Sequence, residues 1–337
     1  MILLPFLLPL FSISYTPITL NKYNTLRTAK FTRLSSVLKY FDPLENFSLP
    51  AQISVHSHPK PDDTVFVTGA TGGVGQLVVR KLLDRDYNVI ALTRSAAKAE
   101  EIFDDLLPST SLEIFESNVN SEIWAGDQYV KKLGELQEKI NTCEEVVICS
   151  GTSAFPTTRW RNSNRPYNVD EKGTQNIVSL SETVSTTTIK KIVYLSSIGT
   201  RRERVFPFTF LNLFGVLDAK KGGEIAVENS PIPSVIIRPG RLVGGPYTAT
   251  DLASLMKLGG GEKGCEVKIG DSLTGDCERS AAAESVVQAL LDPFCKNLDF
   301  SIIDDTRPTK TKAVFGETQW MEAFSQLEGY VCEVDFD

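Results

Sequence analysis

The feature that most constrains this chain lies between residues 63 and 84. A short β-branched run at 63–68 (DTVFVT) leads without a spacer into Gly69-Ala70-Thr71-Gly72-Gly73-Val74-Gly75. Residues 76–84 follow, with apolar side chains at 77, 78, 79, 82 and 83. The run reads as a buried parallel strand and the stretch after the glycines as a helix. A strand, a glycine turn and a helix in succession form a phosphate grip. Gly69 permits the tight turn out of the strand, Gly72 lets main chain approach a pyrophosphate with no Cβ in the way, and Gly75 allows close packing of helix on strand. The helix start then offers unpaired N–H groups and the positive end of its dipole. The spacing is GxxGxxG rather than GxGxxG, so the turn is a variant of the dinucleotide fingerprint, and its strand–helix context gives it force.

The next strand, 88–93 (NVIALT), ends at Arg94, 19 residues beyond Gly75. NAD-binding proteins place near this point an acid that accepts the ribose 2′-hydroxyl proton. Arginine cannot accept it, but it can donate a charged fork to a 2′-phosphate and stack on adenine, with Ser95 and Lys98 close by to help. The expectation is NADP(H) rather than NAD(H). The alternative is an ordinary exposed arginine at a helix start.

Strand and helix candidates keep alternating. Strands are expected at 112–117, 145–150, 189–196, 233–238 and 298–303, and helices at 127–140, 169–184, 212–229 and 281–292. Alternation of this kind calls for an α/β, doubly wound Rossmann fold: a mostly parallel sheet with helices on both faces and a small C-terminal substrate lobe. Glycine-rich, irregular stretches at 240–247 and 258–276 are expected to wall a substrate site beyond the carboxyl ends of the strands. The domain reading is a leader and linker at 1–60, an NAD(P)-binding Rossmann domain at 61–310 with substrate loops at about 199–213 and 240–280, and a C-terminal helix and tail at 311–337.

Charge is uneven. Residues 1–60 hold six lysines and arginines against two acids; set against the net charge of −7, that surplus of four leaves −11 on residues 61–337. An acidic body argues against nucleic-acid binding by charge. The leader is basic, hydroxylated and free of acids before Asp42, which reads as an organelle transit peptide: plastid preferred, mitochondrion the alternative, with a secretory or bipartite signal or a plain tail also open. Its apolar start is too short for a bilayer, so no transmembrane segment is expected in the mature protein. The two histidines, His56 and His58, precede the first domain element, so histidine chemistry inside the folded body is excluded. Six cysteines without a CxxC pair read as free, mostly buried thiols, and no metal site is expected.

The motifs TGATGGVG (68–75), LTRS (92–95), VVICSGT (146–152), VDEKGTQN (169–176), YLSSIG (194–199) and IIRPGRLVGGPYT (236–248) together resemble the atypical branch of the short-chain dehydrogenase/reductase superfamily. NLFGVLDAKKGGE (212–224) and GDSLTGDCER (270–279) are most similar to plant and algal plastid NAD(P)-binding Rossmann proteins. The resemblance implies that Gly69, Thr71, Gly72, Gly73, Val74 and Gly75 line the pyrophosphate and that Arg94, with Ser95, meets the 2′-phosphate. It puts Asn118 and Val119 where relatives carry an adenine-binding Asp. Ser150, Gly151 and Thr152 fall against the nicotinamide-side ribose, and Pro239 and Gly240 beside the ring. The catalytic residues it implies are Ser196, Ser197 and Lys220.

Active members with the usual mechanism also use a tyrosine four residues before that lysine, as proton donor. Here the position is Val216, and none of the nine tyrosines has a lysine four residues later. Three readings follow. The protein binds NADP(H) and acts as a redox-sensing or assembly factor in the plastid. Or it is an NADPH-dependent reductase of a small plastid metabolite, with Lys220 or Tyr247 as a non-standard proton donor. Or it is an epimerase or isomerase on the same fold. Exposed apolar surface around 200–215, within RRERVFPFTF, would favour a protein partner, and a closed apolar pocket with one proton donor a small-molecule substrate. Replacing Arg94→Asp is expected to weaken NADPH binding by about 1–3 kcal/mol, read by calorimetric titration; unchanged affinity would remove the 2′-phosphate assignment.

Overall fold

Residues alternating along each strand belong to two different cores, and this sorts the chain into layers. The structure, a computed structural model, describes residues 63–107, 109–120, 127–156, 160–184, 189–245, 264–304, 320 and 323–327. The leader, His56 and His58, Tyr247 within the 246–263 segment, and most of 311–337 lie outside the described residues. In chain order the elements are β1 (Thr64–Thr68), α1 (Gly75–Leu83), β2 (Asn88–Thr93), α2 (Ala96–Ile102), β3 (Leu112–Glu116), α3 (Asp127–Ile140) and β4 (Glu145–Ile148). A wider π-helical turn (Tyr167–Gly173) then runs into α4 (Thr174–Thr183), followed by β5 (Lys191–Leu195), α5 (Phe208–Leu211) and α6 (Val216–Glu228). The chain continues with β6 (Ser234–Pro239), β7 (Arg241–Val243), β8 (Cys265–Ile269), β9 (Asp276–Glu278), α7 (Arg279–Leu291) and β10 (Leu298–Asp304).

Eight strands form one sheet in the order β3-β2-β1-β4-β5-β6-β10-β8, and β7 pairs with β9 in a separate two-stranded ladder. Every pairing in the large sheet is parallel except that of β8 with β10. The chain starts at β1, winds out to β3 and returns to β4 on the other side of β1. The strand order therefore reverses between β1 and β4, where doubly wound sheets open their ligand crevice. Thr68 pairs with Leu92 on one side and Ile148 on the other, so Gly69, Arg94 and Ser150 emerge along one edge of the sheet.

Val65, Val67, Val89, Val147 and Val193 point into the core beneath α1, α2 and α7. Their neighbours Phe66, Ile90, Val146, Ile148 and Ile192 point into the core beneath α3, α4 and α6. Strands apolar on both faces are what a parallel sheet covered on both sides requires. Cys143 and Cys149 stand at or near the sheet, and burial pushes both thiols up to about 12, which suits inert core thiols. Among the described residues no helix is long and apolar enough to cross a membrane.

Two expectations about elements are corrected. The helix expected from 212 begins at Val216: Gly215 adopts φ +75°, and the Asn212 carbonyl oxygen of the side chain accepts from the Leu217 and Asp218 amides at 2.9 and 3.2 Å. The stretch 258–276, read as irregular, contains β8. There Cys265 and Val267 pack on the core, while Glu266 and Lys268 pair outside it at 2.7 Å. Of the expected C-terminal helix, Trp320 and Phe324 are described. They pack over β10, with Phe324 5.5 Å from Phe300 between ring centroids. Phe300→Ala removes a wholly buried ring from this stack and is expected to cost about 3–5 kcal/mol, measured as a lowered denaturant midpoint at unchanged slope.

Candidate cofactor and active site

The glycine turn is shaped by close main-chain contacts. Gly69 sits at φ +67°, and a Cβ there would stand 2.6–2.7 Å from the backbone of Cys149 and Ser150. The Gly69 carbonyl accepts the Gly72 amide at 2.8 Å, and a Cβ on Gly75 would meet the same carbonyl oxygen at 2.2 Å. The turn thus presses against the end of β4 on one side and against α1 on the other. No side chain caps α1 at Val74. An uncapped helix start and a surface on which a Cβ would collide fit the diphosphate of a dinucleotide. Thr71 and Gly72 lie in the same turn.

Arg94 leaves the carboxyl end of β2 with its side chain exposed. Ser95 caps α2, its hydroxyl accepting from the Lys98 amide at 3.4 Å. Asn118 and Val119 are buried just past β3. The Asn118 side-chain oxygen accepts from the Asn120 amide at 2.9 Å, and the Val119 carbonyl from Asn176 at 2.9 Å. Both bonds fix the loop that would border adenine.

On the far side of the crevice, Ser150 is tied to β1: the Thr68 hydroxyl donates to the Ser150 hydroxyl at 3.2 Å. Beyond it, Thr152 donates to Asp170 from its amide at 3.0 Å and its hydroxyl at 2.6 Å. Lys220 reaches the other oxygen of Asp170 at 2.8 Å. A Cβ on Gly151 would stand 3.0 Å from the Lys220 Nζ and 3.1 Å from Asp170, so any side chain there would crowd this pair. Lys220 is therefore not one of two solvated lysines. Burial works against its charge, but Asp170 beside it more than reverses that and holds its pKa above the usual lysine value. Asp170 escaped the sequence reading although VDEKGTQN contains it. Only the fold shows that a residue of the π-helical turn faces α6.

The two serines behave differently. The Ser196 hydroxyl donates to Glu224, which also accepts from Thr200 at 2.8 Å and from Arg238 at 2.8 and 2.9 Å. Arg238 pairs with Asp299 as well. Ser197 donates to the adjacent Ile198 carbonyl at 3.1 Å. Val216, in the tyrosine's place, packs with Ile198, Phe208 and Leu217. Pro239 and Gly240 close the wall: a Cβ on Gly240 would lie 2.4 Å from the Gly275 carbonyl oxygen.

The segment after β5 is clamped in place. Asp271, with a side chain 1% exposed, accepts from the Gly199 amide at 2.9 Å, the Arg201 amide at 3.0 Å and Arg202 at 2.8 Å. Burial would raise its pKa, yet Arg202 and the two amides hold it below the ordinary carboxylate value. The rest of the segment is an apolar ridge: Val205, Phe206, Phe210 and Leu213 are 57, 85, 60 and 65% exposed. Phe155, from the loop after β4, meets Phe210 and Phe214 at 5.6 and 5.9 Å, and Trp160 flanks Phe214 at 6.1 Å. Among the described residues no three His, Cys, Asp or Glu side chains gather as metal ligands.

A family model described as NAD(P)H-binding matches residues 69–293. The chain belongs to this NAD(P)H-binding family. Protein TIC 62, chloroplastic, of Arabidopsis thaliana is 27% identical over 247 residues, an alignment covering 66% of this chain and 36% of TIC 62. The chain thus spans about a third of the length of that relative. An uncharacterized chloroplastic protein of the same plant, At2g34460, is 31% identical over 239 residues, covering 67% of this chain and 71% of that protein. The oxidoreductase ylbE from Lactococcus lactis shares the fold, with a TM-score of 0.53 at 14% identity over 77% of this chain and 95% of ylbE. The NAD(P)H-binding reading, the Rossmann sheet and the likeness to atypical short-chain dehydrogenase/reductase proteins therefore agree. Asp271→Asn is expected to cost about 1–3 kcal/mol at neutral pH. A carboxylate with a depressed folded pKa stabilises above its unfolded pKa and loses that contribution as pH falls. The gap between wild type and variant in chemical denaturation should therefore narrow below the usual carboxylate range.

Proposed function

We propose that this protein is an NADP(H)-binding member of the family that acts in the plastid as a redox-sensing or assembly factor and does not carry out tyrosine-dependent reduction. The observation that carries the reading is Val216. The position of the proton donor is filled by an apolar side chain, 4% exposed and packed against Ile198, Phe208 and Leu217. The neighbouring groups do not replace it. Lys220 is held as an ammonium by Asp170, and its raised pKa makes it a weaker acid than a free lysine. Tyr194 approaches from β5 but is wholly buried, and burial raises the pKa of its hydroxyl, so it has no path to a substrate outside the core.

The turn at 69–75, Arg94, the ends of β3 and β4, and the Pro239–Gly240 wall would hold the coenzyme, and Lys220 and Thr152 would face its nicotinamide-side ribose. The bound coenzyme supplies a hydride donor or acceptor and, through its redox state, a signal. Arg94 in place of an acid supports the 2′-phosphorylated form. The exposed ridge from Val205 to Phe214 supports a protein partner, since contiguous apolar surface of this kind marks interaction sites. Plastid residence is supported by the chloroplastic relatives and by the basic leader, free of acids before Asp42.

Titration of the protein with NADPH and NADH, followed by assay of NADPH oxidation with a panel of carbonyl and enoyl compounds, tests the reading. Tighter binding of NADPH than NADH, with no consumption above the rate without protein, is expected. Turnover of any panel member would overturn the non-enzymatic role and favour the reductase with a non-standard proton donor.

A further inference from the structure

We propose that Arg279 is the diphosphate-binding cation of the cofactor site, reaching over the glycine turn from a second helix. The inference rests on the dinucleotide reading above and adds to it a residue outside the glycine motif, more than 200 positions along the chain.

Arg279 is the first residue of α7, directly after β9. α7 lies beside α1 on the same face of the sheet, and Lys81 and Arg85 at the far end of α1 pair with Glu284 of α7 at 2.5 and 2.8 Å. At the near end the Arg279 side chain lies on Gly73. A Cβ placed on Gly73 would stand 2.8 Å from the Arg279 Nε and 2.9 Å from its Cδ. The guanidinium also donates to the Gly244 carbonyl, just past β7. The side chain is thus fixed between the phosphate turn and the chain that follows β6, and it is only 7% exposed.

The chemistry at this point calls for a cation. A diphosphate brings two negative charges, while the first turn of α1, residues 75–78, contains no lysine or arginine. Main-chain amides and the helix dipole offer only partial charge. A guanidinium supplies a full charge and a planar fork that matches phosphate oxygens. The contact also explains why position 73 is glycine as well as 72: a side chain there would push the guanidinium away from the turn. Gly73 thereby serves Arg279 as much as it serves the main chain.

The test compares NADPH titrations of the full chain as wild type, Arg279→Gln and Arg279→Met, with adenosine 2′-monophosphate as a second probe that lacks the diphosphate. Arg279→Gln is expected to weaken NADPH by about 10- to 100-fold, the range of a lost charged hydrogen bond, and to leave adenosine 2′-monophosphate binding unchanged by ligand-observed NMR. If the Gln variant does not fold, Arg279→Met, which keeps the unbranched stem over Gly73, decides by the same two readouts. Unchanged NADPH affinity in a folded variant overturns the assignment of Arg279. So does an equal loss for both probes, because Arg279 would then act through the fold. Wild-type protein that binds neither NADPH nor NADH would instead defeat the dinucleotide reading itself, an outcome visible before any variant is compared.

Discussion

The architecture turns on one close approach of main chain to main chain: Gly69 against the end of β4, at a distance no side chain would survive. It follows from the strand order. β1 is flanked by β2 on one side and β4 on the other, so the loops leaving β1 and β4 start level and then part. Gly69 lets the first loop turn at once, and the Gly75 contact with the same carbonyl brings α1 down onto the turn. The result is a helix start at the crevice that no side chain caps. The Thr68–Ser150 hydrogen bond pins the two strand ends together across the same gap. The phosphate grip proposed here is a consequence of backbone packing, and a side chain such as Arg94 would add specificity from its margin.

The second half of the site is organised by two buried carboxylates with different tasks. Asp170 gathers Thr152 and Lys220 just beyond the end of β4. Glu224, one helical turn beyond Lys220, gathers Ser196, Thr200 and Arg238 beneath it. Because both acids are out of water and each is matched by a cation, removing either partner would leave an unpaired buried charge. This arrangement fixes α6 against β5 and β6 through charge as well as through apolar contact. A lysine whose ammonium is stabilised by a buried aspartate is well suited to holding ribose hydroxyls and poorly suited to giving up a proton.

Much of this was legible in the sequence because it is local. The strand–turn–helix at 63–84 is written in consecutive residues, and apolar runs such as VFV and NVIAL mark strands covered on both faces. The missing tyrosine was legible for the same reason: Val216 and Lys220 are four apart on one helix. What sequence reading lost was long-range. Asp170 meets Lys220 across 50 positions. Arg279 meets Gly73 across more than 200 positions. The pattern of β8, apolar at 265 and 267 with charges between, was present but masked by flanking glycines. Asn212, read as the start of a helix, lies before it and caps its first turn by accepting two of its amides.

The apolar ridge gains its meaning from how rigidly it is held. Exposed aromatic side chains on a loose loop would fold back or find no fixed shape. Here the base of the ridge is tied down by Asp271, which takes two main-chain amides and Arg202, and by the Arg202 guanidinium 4.6 Å over the Phe208 ring. Phe208 and Val216 then share one small core with Ile198 and Leu217, directly under the place where the proton donor would stand. Val216, four residues before Lys220, is thus part of the same contact that anchors the ridge. A tyrosine at 216 would bring a hydroxyl needing a partner into that core, while valine lets it close. On the proposed reading, an apolar residue in the proton donor's position and support of an exposed apolar face are two results of one packing choice.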